Sequence, residues 1–269
     1  MVSMEKKIFD KLRKLVYDKS GISLGDHKEA LVTARVGKRM RSMGFEDYED
    51  YLDHLVADQS GQEVVQLLDV ISTNVTHFFR EAQHFDVLAD LLRQWSDEGR
   101  SRFRIWCAAA SSGEEPYTIA MMMREVLDNS ADAKMLATDI STRVLEKAQA
   151  GVYEDRHVEK IPEKLLRKYF DKRGGDNKGL WEARQSLKQL IKFGRLNLSE
   201  FPYKLKGPLD VIFCRNVMIY FDNDMRSRVL ANMYKLLRPG GYLMVGHAES
   251  LTGLVSEFKS VRPSVYIKS

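Results

Sequence analysis

Two adjacent carboxylates, with a third 24 residues beyond them, frame the chemistry this chain could do. Glu114 and Glu115 follow a run of small residues, and Asp139 closes the next apolar run. Ala109, Ala110, Ser111, Ser112 and Gly113 let the backbone turn tightly and let a ligand come close before Pro116 opens a helix. Such a helix start offers unpaired N–H groups and a partial positive charge. The two glutamates stand where a pyrophosphate would have to lie. Neither GxGxxG nor GxxxxGK[ST] occurs here, so the usual phosphate cradles are missing. A ligand bearing a positive charge, an amino group or hydroxyls suits the turn better. Asp139 stands where nucleoside-binding α/β folds put an acid on the ribose hydroxyls. The leading reading is an adenosine-type ligand without essential phosphates, and S-adenosylmethionine, with its sulfonium and α-amino group, fits. Taken alone, the stretch also reads as a plain strand-to-helix turn of an α/β domain.

These groups need a sheet edge to hold them. Residues 103–108 form a nearly continuous apolar run, the mark of a strand buried on both faces of a parallel sheet, and residues 134–138 form a second. Ser141 is placed to cap a helix over 142–150 that Gly151 ends. Residues 209–214 are another buried strand, running straight into Arg215, Asn216, Val217, Met218, Ile219, Tyr220 and Phe221. A helix over 224–237, a turn at 238–241, a strand over 242–246 and a hairpin of 258–261 with 265–268 complete the series. The alternation of strands and helices predicts a mostly parallel, doubly wound sheet. Between these lie a helix over 161–170, the glycine-rich turn KRGGDNKG and strand-like runs at 180–182 and 187–193, predicting a small antiparallel insertion. Residues 191–198 return to the sheet edge, with Asn197 where an adenine ring needs a hydrogen-bonding neighbour.

The upstream segment reads as helical. Ile8, Leu12, Leu15 and Val16 recur at helical spacing before Gly21, residues 30–43 repeat the pattern, and 48–56 and 64–71 complete a small bundle. From Met1 to Gly44 there are eleven Lys or Arg against five acids. Arg35, Lys38, Arg39 and Arg41 on the second helix make a basic surface, either simply solvated or facing an acidic partner. STNVTHFFRE, residues 72–81, sets Thr73, Asn74 and Thr76 beside Phe78 and Phe79, then Arg80 and Glu81. That mixture suits a ligand wall or a capped helix start with Thr73 or Thr76 as N-cap. A helix over 82–95 leads into the first strand.

At 269 residues, 44% hydrophobic and 30% charged, the chain can bury one large or two modest cores. No apolar run reaches membrane-spanning length and no signal-peptide core is present, so a cytoplasmic protein without membrane insertion is expected. Cys107 and Cys214 each fall in a buried strand and read as inert core thiols. The six histidines show no metal-ligand spacing, and a net charge of +4 is too mild to argue for nucleic acid.

TNVTHFFRE, IWCAAASSGEEPYTIAM, ATDIS, DVIFCRNVMIYFD, LRPGGYLMVGHAESL and the terminal VYIKS together resemble the chemotaxis receptor methyltransferases of the CheR family. The resemblance runs through both domains with the motifs in family order. It implies an all-α N-terminal domain over residues 1–78 that faces the receptor. A doubly wound, Rossmann-like methyltransferase sheet would follow over 79–269, with an antiparallel β-subdomain at about 171–193. The implied activity is S-adenosylmethionine-dependent O-methylation of glutamate side chains on the cytoplasmic helices of chemoreceptors, giving methyl esters and S-adenosylhomocysteine. Carried over by position, the donor contacts are Asn74, Thr76, Arg80, Glu115, Asp139, Asn197, Leu198, Asn216 and Val217, with Glu114 an alternative to Glu115. Arg80 and Tyr220 match the residues suspected of acting on the substrate. In some members the β-subdomain docks a receptor tail peptide, and KRGGDNKG marks that place. A monomer is expected. Two other classes stay open. One is a donor-binding docking protein without catalysis, and the other a methyltransferase for another protein or for nucleic acid.

Overall fold

The computed structural model describes residues 4–71, 76–174 and 178–269. Four helices come first: α1 (Lys6–Ser20), α2 (Glu29–Ser42), α3 (Tyr48–Ala57) and α4 (Gln62–Ile71). Gly21 ends α1 because its φ of +70° turns the chain left-handed and lets its N–H reach the Tyr17 carbonyl. The bundle buries the periodic stripe Phe9, Leu12 and Val16 against Val32, Val36, Tyr51, Leu55 and Leu67.

The second part alternates as the sequence predicts. It runs α5 (Gln83–Asp97), β1 (Arg102–Cys107), α6 (Glu114–Val126), β2 (Asp132–Asp139) and α7 (Thr142–Ala150). Ser141 caps α7, its hydroxyl accepting from the Val144 N–H at 3.3 Å, and Gly151 closes it at φ +62°. Next come β3 (Val152–Glu154), α8 (Asp155–Val158), α9 (Glu163–Tyr169), β4 (Phe170–Lys172), β5 (Leu180–Ala183), α10 (Gln185–Lys188) and β6 (Ile191–Arg195). The chain ends with β7 (Leu209–Cys214), α11 (Asn223–Leu236), β8 (Leu237–Val245), β9 (Lys259–Arg262) and β10 (Val265–Ile267).

Seven strands form one sheet in the order β6-β2-β1-β7-β8-β10-β9, parallel from β6 to β8 and antiparallel through the last hairpin. Strand order reverses between β1 and β7, and open α/β sheets bind ligands beyond the carboxyl ends of strands at such a reversal. The apolar runs owe their continuity to burial on both faces. In β7, Val211 and Phe213 point to the layer of α5 and α6, whereas Leu209, Ile212 and Cys214 point to the layer shared by α11 and the N-terminal helices. Cys107 and Cys214 are both buried and free, and they face opposite layers.

The small antiparallel sheet differs in its makeup from the sequence expectation. Its order is β3-β5-β4, so its third strand comes from residues directly after Gly151. The run at 187–193 instead splits. Leu187, 0% exposed, is buried from the single turn of α10, and Ile191–Arg195 pairs in parallel with β2 as the edge of the large sheet. A three-residue strand such as β3 carries too little alternation to announce itself. Among the described residues no helix is long and apolar enough to cross a membrane.

Candidate functional site

The carboxyl ends of β1, β2, β6 and β7 open into one cavity of about 280 Å³. Residues from the turns 108–115, 139–140, 196–198 and 215–221, among them Ser111 and Glu115, line it, with Ser20 and Ile22 from the end of α1 and with Thr76 and Arg80. The helical domain is tied down over it. Ile22 bridges to Phe221, the Ser23 N–H reaches the Tyr220 carbonyl at 2.7 Å, and Asn197 Nδ2 donates to the Lys19 carbonyl at 2.8 Å. A side chain at Gly21 would meet Met225 and Ser199 at 2.9 Å, which shows how closely the two parts approach.

Asp139 ends β2 with both carboxylate oxygens anchored: the Ser111 N–H donates to Oδ2 at 2.8 Å and the Ser141 N–H to Oδ1 at 3.1 Å. Each oxygen keeps capacity for a further donor. Burial pushes the Asp139 carboxyl above its ordinary pKa; the two backbone N–H groups oppose that shift, and the nearby Asp69 charge adds to it. Ser111 reaches its position at φ +46°, a left-handed value uncommon outside glycine.

Glu115 and Glu114 part company at the start of α6. Glu115 lines the cavity, accepting from Arg215 Nη1 and from the Cys107 thiol at 3.2 Å. Glu114 is 5% exposed, does not line the cavity, and takes the Ser112 hydroxyl at 2.7 Å. Successive residues of a helix point about 100° apart, so only one of the two can face the ligand side.

Behind Glu115 lies Arg215, whose side chain is 0% exposed. It bonds Glu115, Glu81 Oε2 at 3.0 Å and the Arg80 carbonyl, and it lies 5.5 Å from the centre of the Phe85 ring. Burial works against its charge, but the Glu115 charge and the Glu81 bond outweigh it, and the net shift in pKa is upward. Burial likewise pushes Glu81 up, and Arg215 more than offsets it, leaving that carboxyl below its ordinary value. Glu249, 3% exposed, gathers the loop after β7: its Oε2 takes the Asn216 N–H at 2.6 Å and the Gly246 N–H at 2.7 Å, and its Oε1 the Ile219 N–H at 3.1 Å. Glu81, Ser111 and Asn216 all carry positive φ, as does Phe79. Backbone strain of this kind persists only where the surroundings over-determine it, and it gathers at ligand sites.

Nine of the eleven sequence-predicted site residues line this single cavity: Thr76, Arg80, Glu115, Asp139, Asn197, Leu198, Asn216, Val217 and Tyr220. Glu114 does not, and Asn74 lies outside the described residues, as does Thr73. Thr76 is not a helix cap, since α5 starts only at Gln83. The Asn197 side chain is committed to Lys19, Glu200 and Ser199, so it braces the wall rather than offering a spare amide. Arg215, Glu81 and Glu249 form the frame but were not singled out as site residues. The sequence carried no clear signal for them: arginine is most often exposed, and its place directly after a strand does not by itself say that it is buried and paired with acids. The basic face of α2 is smaller than predicted. Arg39 turns inward onto Glu63, and Arg35 Nη1 donates to the Ile71 carbonyl at 2.7 Å, leaving Lys38 and Arg41 exposed.

A cavity lined by two acids and two arginines at a strand-order reversal, with one acid fixed for hydroxyl donors, has clear relatives. Residues 7–72 match the family "CheR methyltransferase, all-alpha domain", and residues 74–267 match "CheR methyltransferase, SAM binding domain". The chain is 40% identical over 262 residues to the "Chemotaxis protein methyltransferase" of Salmonella typhimurium, covering 97% of this chain and 90% of that protein. The Escherichia coli protein of the same name gives the same identity and coverage. Its counterpart in Borreliella burgdorferi is 34% identical over 276 residues, covering 100% of this chain and 96% of that protein. Both halves of the chain, meeting around this cavity, thus belong to the CheR methyltransferase family.

Proposed function

We propose that this protein methylates glutamate side chains of chemoreceptors, with S-adenosylmethionine as donor, and that Arg80 and Tyr220 position the incoming carboxylate. The observation that carries this reading is that Arg80 and Tyr220 line the same cavity as Asp139 and Glu115. The donor fits the residues present. Asp139 has capacity for ribose hydroxyls, and Glu115, although shared with Arg215, presents a carboxylate to the cavity for the cationic groups of the donor. When bound, the donor supplies an electrophilic methyl on a sulfonium. A glutamate carboxylate, with a reference pKa near 4.3, is ionised at neutral pH and needs no general base. The protein's task is therefore alignment and exclusion of water. Ile22, Val217 and Phe221 wall the cavity with apolar surface, and the α1 end covers it. Arg80 holds the carboxylate and Tyr220 steers it, while Arg215 fixes the Arg80 backbone.

The finer reading follows the same family logic. Lys38 and Arg41 face the acidic receptor helix, the β3-β5-β4 sheet docks a receptor tail peptide where a receptor has one, and the protein works as a cytoplasmic monomer. Calorimetric titration with S-adenosylhomocysteine, followed by transfer of labelled methyl to receptor-enriched membranes, tests the proposal. Binding is expected, with a base-labile label released as methanol; binding without transfer to receptors would sink the catalytic reading. Arg80→Ala should lower turnover about 100-fold. Unchanged turnover with intact donor binding would discard its positioning role.

A further inference from the structure

His84 and His247 are 163 residues apart in the sequence, so no spacing could have paired them. In the fold their rings meet at 5.2 Å between centroids, with 65° between planes. His84, near the start of α5, is 2% exposed, yet neither ring nitrogen has a hydrogen-bond partner among the described residues. A buried imidazole with both nitrogens unserved is rare and asks for an occupant. Glu81 Oε2 lies 3.6 Å from His84 Nδ1, and one ligand atom from each of Glu81, His84 and His247 falls within 4.8 Å of the other two. His247 is exposed and gives the group a route to solvent.

We propose that Glu81, His84 and His247 form a binding site for a divalent transition ion of the zinc class. Two imidazoles and one carboxylate make a borderline donor set of the kind that selects zinc over magnesium or calcium, and three protein ligands leave a fourth position to water. Modest rotation of the exposed His247 ring brings the ligand atoms toward the coordination distance of roughly 2.0–2.2 Å. The site touches the frame of the cavity through Glu81, whose Oε1 lies 3.4 Å from Asn216 Nδ2. Glu81 Oε2 already accepts from Arg215 Nη2 at 3.0 Å and from the His247 N–H at 3.3 Å. An ion bound there competes with the Arg215 guanidinium for that carboxylate. Arg215 also holds Glu115 and the Arg80 carbonyl, so filling the site loosens the wall of the cavity.

Titration of Zn²⁺ into the full chain, free of any affinity tag, tests this by calorimetry. One ion per chain is expected. His247→Ala, at an exposed position that leaves the fold intact, should weaken uptake about tenfold or more, and His84→Gln should do the same where its circular dichroism is native. Mg²⁺ should not be taken up. Absence of one-to-one uptake, uptake unchanged in His247→Ala, or equal uptake of Mg²⁺ would each overturn the site. S-adenosylhomocysteine should bind about tenfold more weakly to the zinc-loaded protein than to the metal-free protein. This last arm rests on the cavity being the donor site. Unchanged binding would remove the coupling, and no binding in either form would reject the donor reading while leaving the ion site to its own titration.

Discussion

Arg39 and Arg215 are both held by carboxylates from other segments of the chain, and they are held differently. Arg39 joins α2 to α4 through Glu63, donating from Nε at 2.9 Å and from Nη2 at 2.5 Å, while the Tyr51 hydroxyl adds a bond to Glu63 at 2.6 Å. All three groups stand on helices, and none of them lines the cavity at the sheet edge. Arg215 instead reaches across Glu81, Glu115 and a main-chain carbonyl, leaves its Nε without a partner among the described residues, and draws on segments with left-handed backbone. The first cluster closes on itself and joins helices. The second is over-determined from several directions, at a cost in strain, and forms the wall of a site.

The contrast is broken most sharply at Arg215. Arg215→Met leaves Glu81 and Glu115 facing each other uncompensated and should cost about 3–5 kcal/mol in urea denaturation, with at least a tenfold loss of S-adenosylhomocysteine affinity. Arg39→Met should cost less, about 1–3 kcal/mol, because Arg39 is 26% exposed and partly screened, and it should leave that affinity unchanged. A donor affinity that falls equally in both variants would erase the distinction between the clusters. Exposed charge on the same helix gives a third case. Reversing Lys38 and Arg41 to Glu should leave stability alone but raise the KM for receptor about three- to tenfold, an effect that fades as salt is added.

The smallest effect is in pH. Burial alone would raise the Glu63 carboxyl, but Arg39 and Tyr51 hold it below the ordinary 4.5. Its contribution to stability is therefore full above that value and is lost as pH falls through the native pKa. Asp139, raised above 3.8 by burial, has the opposite sign: its native-state penalty fades as the group protonates on acidification. Comparing wild type with Glu63→Gln between about pH 5 and pH 3, the variant should lose less stability. An equal or steeper loss in the variant would contradict the assignment.

Most of the sheet was legible because burial on both faces writes strands such as β1 and β7 as unbroken apolar runs, and caps such as Ser141 and Gly151 mark their helix in plain residue types. The meeting of Thr76, Arg80, Asp139, Asn216 and Tyr220 was legible only as family motifs, since residues so far apart leave no local pattern. The clasp of Arg215 on Glu81 was missed for that reason, 134 positions separating the two. Arg39 misled because surface and buried arginines share a helix with period 3.6, and only the position of Glu63 separates them. The small sheet went astray where three-residue strands carry too little alternation to be told from turns.

The bridge between Ile22 and Phe221 also orders events in time. The two residues are 199 positions apart, and a ribosome adds about 5–20 residues per second, so roughly 10–40 s separate their synthesis. The first helices therefore leave the ribosome long before their lid has anything to cover, with only contacts among themselves, such as those of Phe9, Leu12, Val36 and Leu67, to draw on. The cavity comes into being only with the last fifth of the chain. A product truncated before Phe221 thus has no closed chamber in which to run the reaction.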